Sequence, residues 1–361
     1  MQRYALCETC ADRQKGEDRW FERCQPEECT ICRGLFEETG RMAKKILGAT
    51  KRYEFRTFAL GLSMPSGMQE TEDEIRSALK IKGGETVKIQ LSGRISGEFS
   101  KLTGKRLERE TPDLMVVFDL RSFSVEVASK PIFYHARYTK PGGVAQKREL
   151  CQVCFGRGCD ACGNTGYERE ASVEGALRKR LAKAGGKMTF TWMGSEDKSS
   201  RVFPPGRPVV IEVKNPFKRK LPSKFALRTG AGLVKVSGGT VLKSRPTALP
   251  RFRFRTLIYA EVDGRVTPTD LVELRRRFKN AEVRFDRLHG RQVVKKVYRV
   301  AASGRGGRLT IDAELDGGLP VKRFVNGDLV SPSVAEVLKK EVACRRFDIY
   351  RVTETGGFRF G

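Results

Sequence analysis

Apolar and polar positions follow two periods along this chain, and the switches between them lay out its elements. Leu114 to Leu120 (LMVVFDL) is a short apolar run behind Pro112 and Asp113. Ser124 to Val127 alternates with a period of two, as a half-buried strand requires. Thr189 to Met193 alternates as well, and Val209 to Val213 is apolar throughout, which predicts a buried strand. In Arg251 to Ile258, arginines at 251, 253 and 255 interleave with Phe252 and Phe254, again a strand pattern. Other stretches keep helical spacing. Thr71 and Glu74 form a capping-box pattern ahead of Ile75 and Leu79. Ser172 is placed to cap a helix with Val173, Leu177 and Leu181 on one face, stopped by Gly185 and Gly186. Leu271, Leu274 and Phe278 mark a helix after Thr267 to Thr269. Ser331 and Pro332 start another, with Val334, Val337 and Leu338 inward. With no long internal repeat and no low-complexity tract, the fold class is α+β.

The chain has 361 residues, enough for two or three domains, and 39 % of them are hydrophobic, enough for a sizeable core. Lys plus Arg is 70 against 43 for Asp plus Glu, a net charge of +27 that is spread along the chain rather than held in a tail. Such an excess favours a polyanionic partner, with nucleic acid first. A membrane is disfavoured, because no apolar run approaches transmembrane length and no signal-peptide pattern opens the chain. His135 and His289 are the two histidines, so a histidine base has few candidates.

Eight of the ten cysteines lie in Cys-x-x-Cys pairs, which in this context reads as metal binding rather than disulfides. Cys7, Cys10, Cys29 and Cys32 form two knuckles, and four thiolates suit a structural zinc. Cys24 is left over, and no His-x-Glu pattern suggests a catalytic metal. Cys151, Cys154, Cys159 and Cys162 form a second set, with Gly156 and Gly158 letting the linker turn back. One structural zinc is expected, and a second if this set also binds. The Cys-x-x-Cys-x-Gly-x-Gly pattern also resembles the zinc repeats of J-domain chaperones, but the His-Pro-Asp tripeptide of those proteins is absent.

Other motifs carry less. Ser237 to Thr240 (SGGT) is followed by Val-Leu where a pyrophosphatase loop has Asp-Ser, so it is expected to be a turn. Ser303 to Gly307 lacks the lysine of a phosphate-binding loop and predicts a hairpin connection. Lys214, Lys218, Arg219, Lys220 and Lys224 form a basic run that is either a solvated loop or an RNA contact. Arg251, Arg253 and Arg255 on one strand face would repel unless anions or water meet them.

In their order, several segments resemble the archaeal and eukaryotic tRNA pseudouridine synthase family usually numbered ten. CETC and CTICRGLF look like its zinc module. GKRLERETPDLMVVFDL and IFYHARYTK look like its accessory RNA-binding region, similar to a THUMP domain. CQVCFGRGCDACGNTGYEREASVEGAL looks like the archaeal bridge into the catalytic domain, and GRPVVIEVKNPFKRK and VKRFVNGDLVSPSVAEVL resemble catalytic-domain motifs. The resemblance implies a zinc-binding module at 1–40, a THUMP-like domain at 41–150, a cysteine linker at 151–166 and a mixed α/β synthase domain at 167–361.

It further implies an isomerase that converts uridine 54, uridine 55 or both in the tRNA T-loop to pseudouridine, in the cytoplasm, with no organic cofactor and no obligate protein partner. The family's Gly-Arg-Glu-Asp segment matches Gly194-Ser195-Glu196-Asp197, which makes Asp197 the nucleophile, with Ser195 replacing the arginine. Arg201 and Lys322 match family cations, either of which would keep Asp197 ionised. The expected substrate contacts are Phe254 stacking on the base with Tyr259 as the alternative, Arg207, Val321, and the basic strand of Arg251, Arg253 and Arg255. The departures at Ser195 and at Pro320, which replaces an aromatic residue, motivate the competing expectation of a noncatalytic tRNA-binding or folding factor on the same scaffold.

Overall fold

A computed structural model describes residues 3–14, 21–168, 172–286 and 292–360. His289 lies outside the described residues. The chain forms two compact units, one of residues 1–131 with 214–219, the other of 132–213 with 220–361.

In the first unit, β1 (Tyr4–Leu6) and β2 (Phe21–Arg23) pair in parallel around α1 (Glu8–Gln14). Then follow α2 (Thr39–Thr50), β3 (Thr57–Ser63), α3 (Ser66–Ala78), α4 (Val87–Thr103), β4 (Arg106–Leu107), β5 (Leu114–Asp119) and β6 (Ser124–Ser129). The sheet runs β4-β3-β5-β6, parallel except between β5 and β6. Leu114, Val116 and Phe118 point inward from β5 to meet Leu91, Ile95 and Phe99 of α4 and Met42 and Ile46 of α2. The capping box expected at Thr71 is corrected. The helix starts at Ser66, and the Thr71 hydroxyl donates to the Gly67 carbonyl one turn back.

A module boundary at residue 40 is also corrected. Cys7, Cys10, Ile31, Cys32 and Phe36 share one core with the sheet and its helices. A buried ion pair ties them across that line, with Arg13 2.8 Å from Glu72, whose other oxygen accepts from the Val87 amide. Residues 214–219 of the basic run belong to this unit. Arg219 donates to the Lys130 carbonyl and its amide to Glu54, while Phe217 packs edge-on against Tyr53. At least at Arg219, the run is a structural tether rather than a solvated loop.

The second unit opens with β7 (Ile132–Lys140), the segment expected in the accessory region. It pairs with strands of the larger unit on both sides, so the expected division near 150 moves back to 131. The order continues with α5 (Val173–Leu181), β8 (Lys187–Trp192), β9 (Val202–Lys214), β10 (Phe225–Thr229), β11 (Gly232–Leu242), β12 (Pro246–Ala248) and β13 (Phe252–Val262). It ends with α6 (Pro268–Arg277), β14 (Ala281–Asp286), β15 (Gln292–Arg305), β16 (Arg308–Asp316), α7 (Val321–Asn326), β17 (Val330–Ser331), α8 (Val334–Leu338), β18 (Val342–Glu354) and β19 (Arg359–Phe360).

Among the described residues these form an eleven-stranded sheet, β10-β11-β7-β9-β18-β13-β16-β15-β14-β17, with β8 on the flank of β9. Its two halves join where β9 meets β18 in parallel at Val202 and Ile349. Each half has its own core, one around Tyr134, Leu177 and Ile211, the other around Ile258, Phe324 and Phe347.

The caps follow the sequence closely. Ser172 Oγ accepts from the Gly175 amide, and Thr267 caps α6 in a reciprocal box with Asp270. The last cap sits later than expected. Ser333, boxed with Glu336, starts α8, while Ser331 lies in β17. Arg305 to Arg308 is the expected hairpin connection, but Ser237 to Thr240 is a bulge inside β11, not a turn. Among the described residues no helix is long and apolar enough to cross a membrane.

Candidate active site and metal centres

Asp197 lies in the loop between β8 and β9, where the two half-sheets meet. The loop is fastened at three points. Glu196 turns under it, its side chain fully buried, and accepts from Arg207 Nη1 at 2.8 Å and from the Tyr138 hydroxyl at 2.8 Å. Arg207 reaches on to the carbonyls of Met193 (2.6 Å) and Ser195 (3.2 Å). Gln146 bridges the Tyr138 hydroxyl to the Gly194 carbonyl. Gly194 has φ +94°, and a Cβ there would stand 2.5 Å from Arg207 Nη2, so only glycine fits.

On the far side of the loop, buried Lys140 donates to the carbonyls of Asp197 (3.0 Å), Lys198 (3.4 Å) and Ser200. Burial pushes its ammonium down to about 8, against the opposing pull of Glu196. The loop's end is stitched to β18, where the Arg201 amide donates to Asp348 and the Ile349 amide donates to the Arg201 carbonyl.

With its neighbour turned inward, Asp197 presents its carboxylate outward. Oδ2 is screened from solvent, takes no hydrogen bond, and stands 2.9 Å from Lys322 Nζ as an ion pair. Lys322 is the second residue of α7, and both partners stay partly exposed, at 48 % for Lys322 and 32 % for Asp197. The pair thus sets the carboxylate beside a cation while leaving its side chain partly open to solvent. Arg201, the other expected cation, makes no side-chain ion pair among the described residues; its backbone, not its guanidinium, serves the loop.

The expected substrate contacts separate by burial. Phe254 is corrected, because it sits in the hydrophobic core on the inner face of β13 and cannot stack on an incoming base. Tyr259 lies on the opposite, half-open face, with the Arg346 guanidinium 4.6 Å from its ring centre. Arg346 also approaches Asp348, the acceptor of the Arg201 amide, so Tyr259 belongs to the same cluster as the loop.

Val321 is corrected too, being a core residue of α7. Arg207 is corrected from a substrate contact to the buried loop anchor described above. Arg255 is spent within the sheet as a two-pronged pair with Asp312 of the adjacent β16. Arg253 lies 3.8 Å over the Tyr298 ring, and Arg251 is exposed. Both line a cleft of about 770 Å³ that also includes Met193 and Gly194 of the loop. His135, on β7, is half-buried and its imidazole pushed towards the neutral form by desolvation.

The anchors Glu196, Tyr138, Gln146 and Lys140 were not legible as functional residues. Their partners lie 8 to 60 residues away in sequence, and nothing local distinguishes a buried Glu-Arg pair from two surface charges.

The two cysteine sets converge. In each, the four sulfurs lie within 4.8 Å of one another, and the cysteines are unbridged. A tetrahedral zinc with arms of about 2.3 Å needs sulfurs about 3.8 Å apart. Cys7 and Cys32 stand at 3.6 Å, Cys151 and Cys159 at 3.9 Å, Cys154 and Cys162 at 3.9 Å, and Cys159 and Cys162 at 3.8 Å. Donors also point at the sulfurs, as thiolates require. Arg13 approaches Cys10 at 3.5 Å, and the Gly158 and Gly166 amides approach Cys154 and Cys162 at 3.2 Å. Both sets fit a structural metal ion. Cys24 is the partly buried neighbour of the first.

Each unit thus holds a four-cysteine set, and the larger one carries an outward carboxylate on a braced loop. Residues 42–119 match the family described as Pus10 THUMP domain, archaeal. Over 98 % of its length the chain is 30 % identical to a tRNA pseudouridine synthase Pus10 from Cenarchaeum symbiosum, covering 91 % of that protein. It is 30 % identical to the protein of that name from Nitrosopumilus maritimus, over 90 % of the chain and 86 % of the relative. It is 29 % identical to the one from Methanocaldococcus jannaschii, over 96 % and 80 %. The chain belongs to this Pus10 family.

Proposed function

We propose that the chain isomerises uridine to pseudouridine in the T-loop of tRNA, at position 54, 55 or both, with Asp197 as the attacking carboxylate. The observation that carries this reading is the division of labour between adjacent acids. Glu196 is buried as the loop's anchor, and Asp197 faces outward against Lys322. The target uridine leaves its stack and enters beside the loop. Asp197 then attacks C1′ or assists departure of the base through a glycal, and the C1′–N1 bond breaks. The freed base turns, C5 bonds to C1′, N1 gains a proton, and the C5 hydrogen passes to solvent. No redox step is involved. Lys322 orients the Asp197 carboxylate, Tyr259 offers the aromatic face to the base, and Arg201, Arg251 and Arg253 meet neighbouring phosphates. The first unit grips the tRNA body; zinc held by Cys7, Cys10, Cys29 and Cys32 would brace that unit, and zinc in the second set would brace its own turn, neither entering the chemistry. With tRNA as substrate, the reading includes a cytoplasmic location.

The noncatalytic reading rested on Ser195, where the family has arginine, and on Pro320, where it has an aromatic residue. Ser195 contributes its backbone carbonyl to the loop anchor and its side chain is exposed, so the replacement leaves the position of Asp197 undisturbed.

The test uses a T-arm transcript carrying uridine tritiated at C5. Wild-type protein should release tritium to water in step with pseudouridine formation. Lys322→Met should slow release by about 10²-fold or more, on the scale of losing one electrostatic partner of the reacting group. No release from wild type under single-turnover conditions would refute the activity.

A further inference from the structure

Beside the second cysteine set lies a cleft of about 680 Å³, between the cysteine turns, α5 and the β10–β11 hairpin. Lys179 rises from α5, Arg228 from the hairpin, and Lys198 from the loop position next to Asp197. Tyr167 forms part of the wall, with the Arg148 guanidinium stacked on its ring at 3.6 Å. Arg148 shares its charge with Glu174 at 3.5 Å, and Glu168 is the acid that also lines the cleft. Positive side chains thus outnumber the lining acid and surround a flat aromatic–guanidinium surface. Neither the cleft nor Tyr167 has a part in the chemistry above.

From this arrangement we infer that the cleft binds single-stranded tRNA nucleotides flanking the target uridine, with Lys179 and Arg228 on backbone phosphates and the Tyr167–Arg148 pair stacked under a base. The inference rests on the RNA reading above and extends it to a second contact site. Three physical points carry it. Lys198 is both the chain neighbour of Asp197 and a wall of the cleft, so a strand held in the cleft lies beside the loop that carries Asp197. Duplex RNA shows a protein phosphates and a shallow groove, whereas only an unpaired base can lie against an aromatic face. Finally, Cys162 is part of the wall, so a metal held by the second cysteine set would fix the cleft's shape.

A polypeptide is the competing occupant, because Val153 and Phe155 on the adjacent turn are exposed, at 68 % and 73 %. The balance of charge around the cleft favours RNA over a peptide.

The full-length protein is titrated with a T-arm transcript across a salt series. The double variant Lys179→Gln, Arg228→Gln should bind more weakly and lower the slope of log affinity against log salt by about 1.4, the value for two contacts to a single strand. Tyr167→Leu should weaken binding about tenfold or more at every salt concentration, and Tyr167→Phe should restore it. Melting temperature and metal content, checked on each variant, should match wild type. Wild-type affinity and slope in the folded double variant would overturn the inference, as would binding of a reduced, unfolded polypeptide that the RNA does not compete away. Intact modification activity alongside unchanged binding would sink this inference alone, whereas loss of wild-type activity would strike the functional reading and leave the binding result standing.

Discussion

Side by side in sequence, Glu196 and Asp197 have the same chemistry and opposite fates. Burial separates them, because Glu196 is enclosed with Arg207 and Tyr138 while Asp197 keeps an open face against Lys322. Removing one partner of a buried ion pair leaves the other charge uncompensated, at a cost of about 3–5 kcal/mol. Glu196→Ala should therefore lower stability by that amount and reduce turnover, because Arg207 loses its hold on the loop. Glu196→Gln keeps one oxygen to accept from Arg207 and turns an amide N–H towards Tyr138, so it should be milder in both. Chemical denaturation with a parallel activity assay checks this, and wild-type stability in Glu196→Ala would contradict the anchoring role.

Lys140 adds a pH dependence on the same loop. Its ammonium is held down to about 8, from 10.5, chiefly by burial, with Glu196, Asp197 and Asp348 pulling it up and Arg207 pushing it down. Above that pH the neutral amine has two hydrogens for three carbonyls, so the Asp197 loop loses a tether and turnover should fall. The stability effect has the opposite sign. The folded pKa is below the unfolded one, so between about 8 and 10.5 the unfolded chain binds more protons, and this group's contribution to stability rises with pH. Turnover falling above pH 8 without a matching drop in melting temperature, and a flatter alkaline limb in Lys140→Met, are the expected results.

At the scale of elements, strand and helix positions were largely legible because period and capping chemistry are local. The Ser172 cap, the Thr267 helix and the arginine-bearing strand all form where the pattern places them. What the pattern could not reveal was which face of that strand is covered. Phe254 and Arg255 both lose their expected substrate roles, because β16 supplies Asp312 on one side and the hydrophobic core closes over the other. The Thr71 box failed because the helix begins at Ser66, just after Pro65, which leaves Thr71 inside it rather than at its cap.

The cysteine elements were legible in their spacing, and each set gathers its sulfurs to a separation that suits one tetrahedral ion. Thiolate sites couple metal binding to folding. Cys29→Ser should lose one equivalent of zinc and loosen the core that Cys7, Ile31 and Phe36 share with the first sheet. Elemental analysis and amide exchange report both effects. No zinc in wild-type protein purified without chelator would remove the metal from the account.

At the scale of the whole molecule, the sequence order of segments identified the family, and the boundaries moved. Cys7 to Phe36 share a core with the THUMP-matching region, and Ile132–Lys140 joins the larger sheet, because pairing partners distant in sequence decide where a strand belongs. The charge of +27 is consistent with a tRNA-sized partner, but charge alone does not separate a synthase from a binding protein. Asp197 does. Asp197→Asn is nearly isosteric and removes the carboxylate charge opposite Lys322. The decisive measurement is pseudouridine mapping of the T-loop after single-turnover incubation, with tRNA affinity measured on the same preparations. Wild type should modify uridine 54, 55 or both, and Asp197→Asn should bind tRNA within a few-fold of wild type and modify neither. Modification by Asp197→Asn at the wild-type rate would contradict the assignment of the nucleophile.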